Sequence, residues 1–118
     1  MMDKLHIKRI YEAPATTDGS RILIDRLWPR GLTKEKAAID HWVKGIAPSD
    51  DLRHWFGHDP EKWAEFQQRY YQELRANSAA VTELRDIIGN QAATLLYAAH
   101  DTEHNNAVAL RDFLASQH

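Results

Sequence analysis

The sequence contains no cysteine among its 118 residues. This absence excludes disulfide bonds, thiolate metal ligands and a cysteine nucleophile, and it is typical of proteins in a reducing compartment. Long apolar runs are also missing, because the longest spans about residues 95–99, far below the roughly 20 residues of a membrane-spanning helix. The first residues lack the apolar segment of a signal peptide. We therefore expect a cytoplasmic protein without a membrane segment.

A basic excess is missing as well. The formal net charge is −2, whereas proteins that bind nucleic acids through the phosphate backbone usually carry an excess of Lys and Arg. The sequence has neither a glycine-rich phosphate loop nor the serine elbow of hydrolases. Its composition, 43% hydrophobic and 27% charged, is that of an ordinary globular protein. The length predicts one domain, and the charge argues against nucleic acid as the main partner.

Strand and helix patterns alternate along the chain, which sets the fold class. Strands are predicted at residues 5–10, 21–25 and 92–98, and the last is apolar except for Thr94, as expected of a central strand covered on both faces. Residues 40–47 fit either a short strand or an irregular segment. Helix-capping residues occur at Thr33, Ser49, Asp59, Ser78 and Asp101. We predict an α/β fold: a single three-layer domain with a small, mainly parallel sheet flanked by helices.

Two predicted loops follow strands and are the best candidates for a functional site. They comprise residues 25–31 and residues 98–105. Ligands of parallel α/β sheets bind at the carboxyl ends of the strands, so both loops would open on the same edge if their strands are parallel. We expect this edge to hold a small anionic ligand that bears a phosphate or a carboxylate, as an enzyme or as a binding protein. The cofactor and the oligomeric state stay unassigned.

The 25–31 loop concentrates charged and aromatic side chains. Arg26 and Arg30 are predicted to hold the anion, with help from Arg53, because guanidinium groups match oxyanions with paired N–H bonds. Trp28 offers a flat face to the ligand, and Asp25 is a candidate for proton transfer. The alternative is structural: the aspartate and the first arginine pair with each other across the sheet edge, while the indole fills the core.

The 98–105 loop adds groups able to exchange protons. His100 titrates near neutral pH, and we predict that it or Asp101 handles protons while Asn105 orients the ligand by hydrogen bonds. The alternative is that Asp101 caps the last helix and the histidines face solvent. His100 and His104 lie four positions apart and could share a metal, but no third ligand is evident. No metal site is predicted.

A third cluster lies at residues 53–59. Its aromatic pair, Trp55 and Phe56, is expected to pack inward. His58 followed by Asp59 could form an oriented imidazole for acid–base chemistry. The alternative is that Asp59 caps the next helix, as aspartate commonly does.

Several motifs resemble one known family. They are Asp18-Gly19, residues 21–31, Ala47-Pro48-Ser49, Leu52-Arg53, residues 55–58, and residues 95–99 followed by Asn105 and Ala107. Together they cover nearly the whole chain and resemble the YeaO-like proteins of the family called domain of unknown function 488. The resemblance implies a bacterial, cytoplasmic α/β protein and implies no particular reaction.

The resemblance also implies a chemical difference from longer members of that family. Those relatives carry a cysteine at the end of the last strand, where this chain has Ala98. They also carry a Cys-His-Arg run at the start of the last helix, where this chain has Asn105-Asn106-Ala107. Chemistry that needs those cysteines is therefore not expected here.

The rival hypothesis is a non-catalytic domain that binds a partner protein or accompanies nucleic acid. Exposed aromatic residues around Trp28 and Trp42 would support it, because protein interfaces are rich in such residues. This hypothesis predicts an apolar surface patch and no closed pocket.

Overall fold

A computed structural model describes residues 5–116 as one α/β unit. Its strands are β1 (Leu5–Arg9), β2 (Ser20–Leu23), β3 (His41–Trp42) and β4 (Ala93–Tyr97). Its α-helices are α1 (Lys34–Ala37), α2 (Asp50–Phe56), α3 (Trp63–Ala76), α4 (Ser78–Ile88) and α5 (Asn106–Ser116). Short 3₁₀ turns occur at Thr16–Asp18, Lys44–Ile46 and Pro60–Lys62. Within residues 5–116, no helix combines the length and the apolar character needed to cross a membrane. The expectation of no signal peptide rests partly on residues 1–4, which lie outside the described residues.

The four strands form one sheet in the order β1-β4-β2-β3, and every neighbouring pair is parallel. β4 lies in the interior of the sheet, where Leu95 faces Ile7 of β1 on one side and Ile22 of β2 on the other. All five residues of β4 are buried, which explains its unbroken apolar run, since a central parallel strand is covered on both faces. The predicted α/β class is confirmed.

The sheet has a thick and a thin covering layer. Ile22 and Leu95 point into a large core with Phe66, Tyr70 and Leu110 from the longer helices. The neighbouring strand residues point the opposite way into a smaller cluster, formed by Ile10, Leu23, Ala37 and Leu96 with Trp28 and Trp42 packed against it. Layers on both faces make this the predicted three-layer arrangement.

Side-chain caps begin most of the helical segments where the sequence predicts them. Thr33 accepts a hydrogen bond from the Lys36 N–H at 3.2 Å, and Ser49 accepts one from the Leu52 N–H at 3.2 Å. Asp59 accepts from the Glu61 N–H at 3.0 Å and begins the 3₁₀ turn that leads into α3. Ser78 is instead the first residue of α4. The ambiguous stretch 40–47 contains both β3 and a 3₁₀ turn.

The prediction that Asp101 caps the last helix is wrong. Its Oδ1 accepts the N–H groups of Glu103 and His104, at 2.9 and 3.0 Å, and so stabilises a separate turn. The helix α5 begins at Asn106, and Asn105 is its cap because its Oδ1 accepts the Val108 N–H at 3.0 Å. Asparagine and aspartate are nearly equal as caps, so a segment that contains both does not reveal which one begins the helix.

Candidate functional site

A cleft of about 770 Å³ opens at the carboxyl edge of the sheet, and we call it the edge cleft. The 25–31 loop forms one wall and the 98–105 loop another. A third wall comes from α2 and the segment before it, through Ala47, Pro48, Arg53 and Phe56. The two loops meet because β2 and β4 are parallel neighbours, so both strands end at the same edge. A cleft is thus present at the sheet edge where the sequence predicts a site.

Asp25 connects the walls of the edge cleft. Its Oδ2 accepts the Ala98 N–H at 3.0 Å, and its Oδ1 accepts from Asn106 Nδ2 at 2.9 Å. Burial raises the pKa of Asp25, and the bonds from Asn106 and Ala98 and the charge of Arg53 offset only part of that rise. Its carboxylate therefore connects the ends of β2 and β4 to α5. Its hydrogen bonds and the nearby charge of Arg53 only partly offset the cost of burying its negative charge.

The predicted alternative, in which Asp25 pairs with Arg26, is not what the structure shows. The Nε of Arg26 lies 3.7 Å from Oδ1 of Asp50, the first residue of α2. Arg53, one turn further along α2, contacts the same carboxylate with its Nη2. One exposed aspartate thus holds together two guanidinium groups that come from different walls of the cleft.

Both arginines keep unused hydrogen-bonding capacity. Among residues 5–116, the Nε atoms of Arg26 and Arg53 are buried and have no hydrogen-bond partner. An unsatisfied buried donor is costly, and such groups are rare enough in folded proteins to need an explanation. Both arginines line the edge cleft.

The other two predicted residues of the 25–31 loop differ in burial, since Trp28 is half-buried and Arg30 is exposed. Trp28 is half-buried, donates its Nε1–H to the Leu32 carbonyl at 2.7 Å, and meets Trp42 edge-on with ring centroids 5.4 Å apart. Trp28 therefore belongs to the thin core layer and lines the cleft at the same time. Arg30 is exposed at the rim, and its carbonyl accepts the Tyr11 hydroxyl at 2.8 Å.

In the 98–105 loop, most polar side chains hold the loop itself. The pKa of Asp101 is lowered by its bond from the Glu103 N–H and by its bonds with the side chain and N–H of His104. Asn105 is 2% exposed and donates its Nδ2 to the Asp101 carbonyl at 2.9 Å. His100 is exposed, with its Nδ1 3.5 Å from a guanidinium nitrogen of Arg9. The structure thus brings the predicted residues together, but it engages Asp101 and Asn105 in local hydrogen bonds.

Two further histidines, His58 and His104, line the edge cleft. His104 contacts Asp101 and packs edge-on against Trp63, with centroids 5.4 Å apart. His58 is exposed and lines the cleft, while the carboxylate of Asp59 caps a turn instead of orienting the imidazole. Across the part of the chain that the structure describes, no group of three or more His, Cys, Asp or Glu residues is placed to hold a metal ion.

Sequence reasoning missed three residues of this region. Asp50 bridges the two arginines, and its spacing of three from Arg53 on a helix is a signal that predicts such a pair. Leu27 and Tyr11 line the cleft although their side chains are 66% and 41% exposed. Nothing in the sequence distinguishes these two from core residues, because both follow apolar strands.

Comparison with known proteins identifies relatives along almost the whole chain. Residues 4–118 match the family described as "Inactive DUF488-N3 subclade". The chain is 42% identical over 112 residues to "Uncharacterized protein YeaO" of Escherichia coli, which covers 95% of this chain and 97% of that protein. It is 38% identical over 111 residues to "Uncharacterized protein Mb3100c" of Mycobacterium bovis and to "Uncharacterized protein Rv3073c" of Mycobacterium tuberculosis, with 94% of this chain and 93% of each relative covered. No solved structure matches it. The chain therefore belongs to the YeaO-like proteins of the DUF488 family.

Proposed function

We propose that the edge cleft binds a small anionic ligand, bearing a phosphate or a carboxylate, and that it does so without catalysing a reaction. The observation that carries the proposal is that two arginines of the cleft walls, Arg26 and Arg53, have buried Nε atoms without a hydrogen-bond partner among the described residues. An oxyanion placed between the two arginines would meet two positive charges and accept N–H groups of their guanidiniums. Arginine suits this role because its N–H groups form a planar fork that matches oxyanions.

Asp50 supports the proposal as a positioning group. Its carboxylate contacts both guanidiniums, and its own side chain is 64% exposed. Water weakens an ion pair at such an exposed position, so the arginines keep most of their attraction for a second anion in the more sheltered cleft. Arg30, exposed at the rim of the same cleft, adds positive charge along the entry path.

The groups expected to transfer protons favour binding over catalysis. Asp25 accepts bonds from two donors of the fold, and Asp101 is engaged with its own turn. His100 remains as an exposed group at the rim. The description of the matching subclade as inactive agrees with a protein that binds a ligand and does not transform it. The cytoplasmic location expected from the absence of cysteine belongs to the same proposal.

A thermal-shift screen with phosphates, carboxylates and nucleotides tests this function. A ligand at 100 times its dissociation constant stabilises the native state by about 2.7 kcal/mol, which gives a visible shift for a domain of this size. We expect an anion to raise the melting temperature of the wild type and of the control variant Arg75→Gln. The exposed arginine that this control replaces lies on α3, away from the cleft. The shift should be lost in Arg53→Gln. No shift with any anion, or an unchanged shift in Arg53→Gln, would refute the proposal.

A further inference from the structure

The rim of the edge cleft carries two exposed large hydrophobic side chains. In the described part of the chain, the large hydrophobic side chains that are exposed are Leu27 and Tyr11, and both line this cleft. Scattered exposed apolar residues need no explanation, but here the two lie at the mouth of one pocket. Exposed apolar groups next to a binding site commonly mark a surface that a ligand covers.

Tyr11 is held in place although it is exposed. Its hydroxyl donates to the Arg30 carbonyl at 2.8 Å, and the guanidinium of Arg9 lies over its ring at 4.9 Å from the centroid. These two contacts fix the ring without burying it, and a ring held in this way is preorganised to receive a flat apolar group. Leu27 has no such constraint and adds an aliphatic surface on the neighbouring loop.

The interior of the cleft continues the apolar character of the rim. Trp28, Phe56 and Phe66 line it together with the small residues Ala98 and Ala99. Its volume of about 770 Å³ falls in the roughly 300–1,000 Å³ range of sites that enclose organic molecules. An isolated oxyanion between Arg26 and Arg53 would leave most of that apolar space unfilled.

We infer that the ligand of the edge cleft is an aromatic anion, whose charged group meets Arg26 and Arg53 and whose ring contacts Leu27 and Tyr11. This inference rests on the proposed function and adds the chemical class of the ligand. The charged group can be a phosphate or a carboxylate, since both accept paired N–H bonds from a guanidinium. The aromatic body accounts for the apolar rim, which an inorganic anion would not use.

Calorimetric titrations with phenyl phosphate, benzoate, inorganic phosphate and phenol test the inference. We expect phenyl phosphate or benzoate to bind at least about tenfold more tightly than either inorganic phosphate or phenol, because burial of a ring adds to the charge contacts. The comparison of phenyl phosphate with benzoate identifies the charged group. Equal affinities for phenyl phosphate and inorganic phosphate, or for phenyl phosphate and phenol, would overturn the inference.

Two variants separate this inference from the function on which it rests. Leu27→Ser changes an exposed side chain. It should weaken binding of the aromatic anion by about three- to tenfold and leave the affinity for inorganic phosphate unchanged. Arg53→Gln should weaken the binding of both anions. If Leu27→Ser has no effect while Arg53→Gln weakens every anion, the anion site stands and the aromatic class is wrong. If no anion binds, or Arg53→Gln binds all of them as wild type does, the proposed function itself fails.

Discussion

Two regions in which arginine meets aspartate differ in how completely their hydrogen bonds are made. The first, the buried polar cluster, consists of Lys8, Asp18 and Arg21 on the thin side of the sheet. Arg21 is 4% exposed, and its three nitrogens donate to Ala38, Asp18 and Ala37 at 3.0, 2.5 and 2.8 Å. Lys8 Nζ donates to the other oxygen of Asp18 at 2.9 Å. Each charge in this cluster has its partners.

The edge cleft contains the same residue types, but not all of their hydrogen bonds are made. Arg26 and Arg53 share one exposed aspartate, and within the described residues their Nε atoms have no hydrogen-bond partner, although Arg26 Nε lies at ion-pair distance from Asp50. The pKa values of the aspartates in the two regions are shifted in opposite directions. Burial would raise the pKa of Asp18, but Lys8, the Ala15 N–H and Arg21 together bring it below its ordinary value; the pKa of Asp25 stays raised. Satisfied pairs stabilise a fold, whereas unmet donors and perturbed groups are the features on which the proposed anion site rests.

The largest effect we predict is the loss of Asp18. Asp18→Ala leaves Arg21 buried with an uncompensated charge, so the free energy of unfolding should fall by about 3–5 kcal/mol. Urea denaturation followed by tryptophan fluorescence at neutral pH measures it. The control is Glu65→Ala, which removes an exposed partner of Arg69 and should change stability by no more than about 0.5–1 kcal/mol. A loss below about 1 kcal/mol for Asp18→Ala would show that the cluster does not hold the fold together.

Removal of Asp25 should cost less than removal of Asp18. Asp25→Ala leaves the Ala98 N–H and the Asn106 amide without their acceptor, which predicts a loss of about 1–3 kcal/mol. The loss is smaller because the variant also removes a poorly compensated buried carboxylate. The same urea experiment compares the two variants directly. If Asp25→Ala proved as damaging as Asp18→Ala, the distinction between the two regions would not hold.

The two aspartates should also respond to pH with opposite signs. The folded-state pKa of Asp18 lies below the ordinary value of 3.8, so its stabilising contribution is present above that value and is lost as the pH falls through the folded-state pKa. The folded-state pKa of Asp25 lies above 3.8, so protonation favours the fold and its contribution is lost as the pH rises through that pKa. Denaturation between acidic and neutral pH should show the cost of Asp18→Ala shrinking, and that of Asp25→Ala growing, as the pH falls. If the loss of unfolding free energy changed with pH in the same direction for both variants, the opposite pKa shifts assigned to Asp18 and Asp25 would be wrong.

The smallest loss of unfolding free energy is expected when an arginine of the edge cleft is replaced. Arg53→Gln breaks an ion pair whose side chains are 35% and 64% exposed, and solvent screening limits the loss to about 1 kcal/mol or less. Arg21→Gln, which disrupts the satisfied cluster, is the matched comparison and should cost several times more. Equal losses in urea denaturation would mean that the cleft arginines, like Arg21, serve the fold.

Much of the architecture could be predicted because it depends on local patterns. The apolar run that became β4 lacks the alternation of a half-exposed strand, and that alone indicates a central position. Helix starts at Thr33 and Ser49 follow from a hydroxyl that reaches an N–H three residues on. The meeting of the 25–31 and 98–105 loops follows from parallel strands.

The rest could not be predicted because it depends on contacts between distant residues. Asp50 meets Arg26 across 24 positions of sequence, and Lys8 meets Asp18 across ten. Whether a guanidinium nitrogen ends with or without a partner depends on such contacts, and no local pattern encodes it. The exposure of Leu27 is of the same kind, since a leucine that follows an apolar strand would be expected in the core.

The most direct test follows the Nε–H signals of the arginines by ¹⁵N NMR during a titration with phosphate, with the signals assigned from single Arg→Gln variants. The Nε–H groups of Arg26 and Arg53 have no hydrogen-bond partner in the described structure, whereas that of Arg21 donates to the Ala38 carbonyl. We predict that the signals of Arg26 and Arg53 shift and saturate together while the signal of Arg21 stays in place. If the signals of Arg26 and Arg53 stay unmoved, or if the signal of Arg21 shifts as much as theirs, the edge cleft is not the anion site.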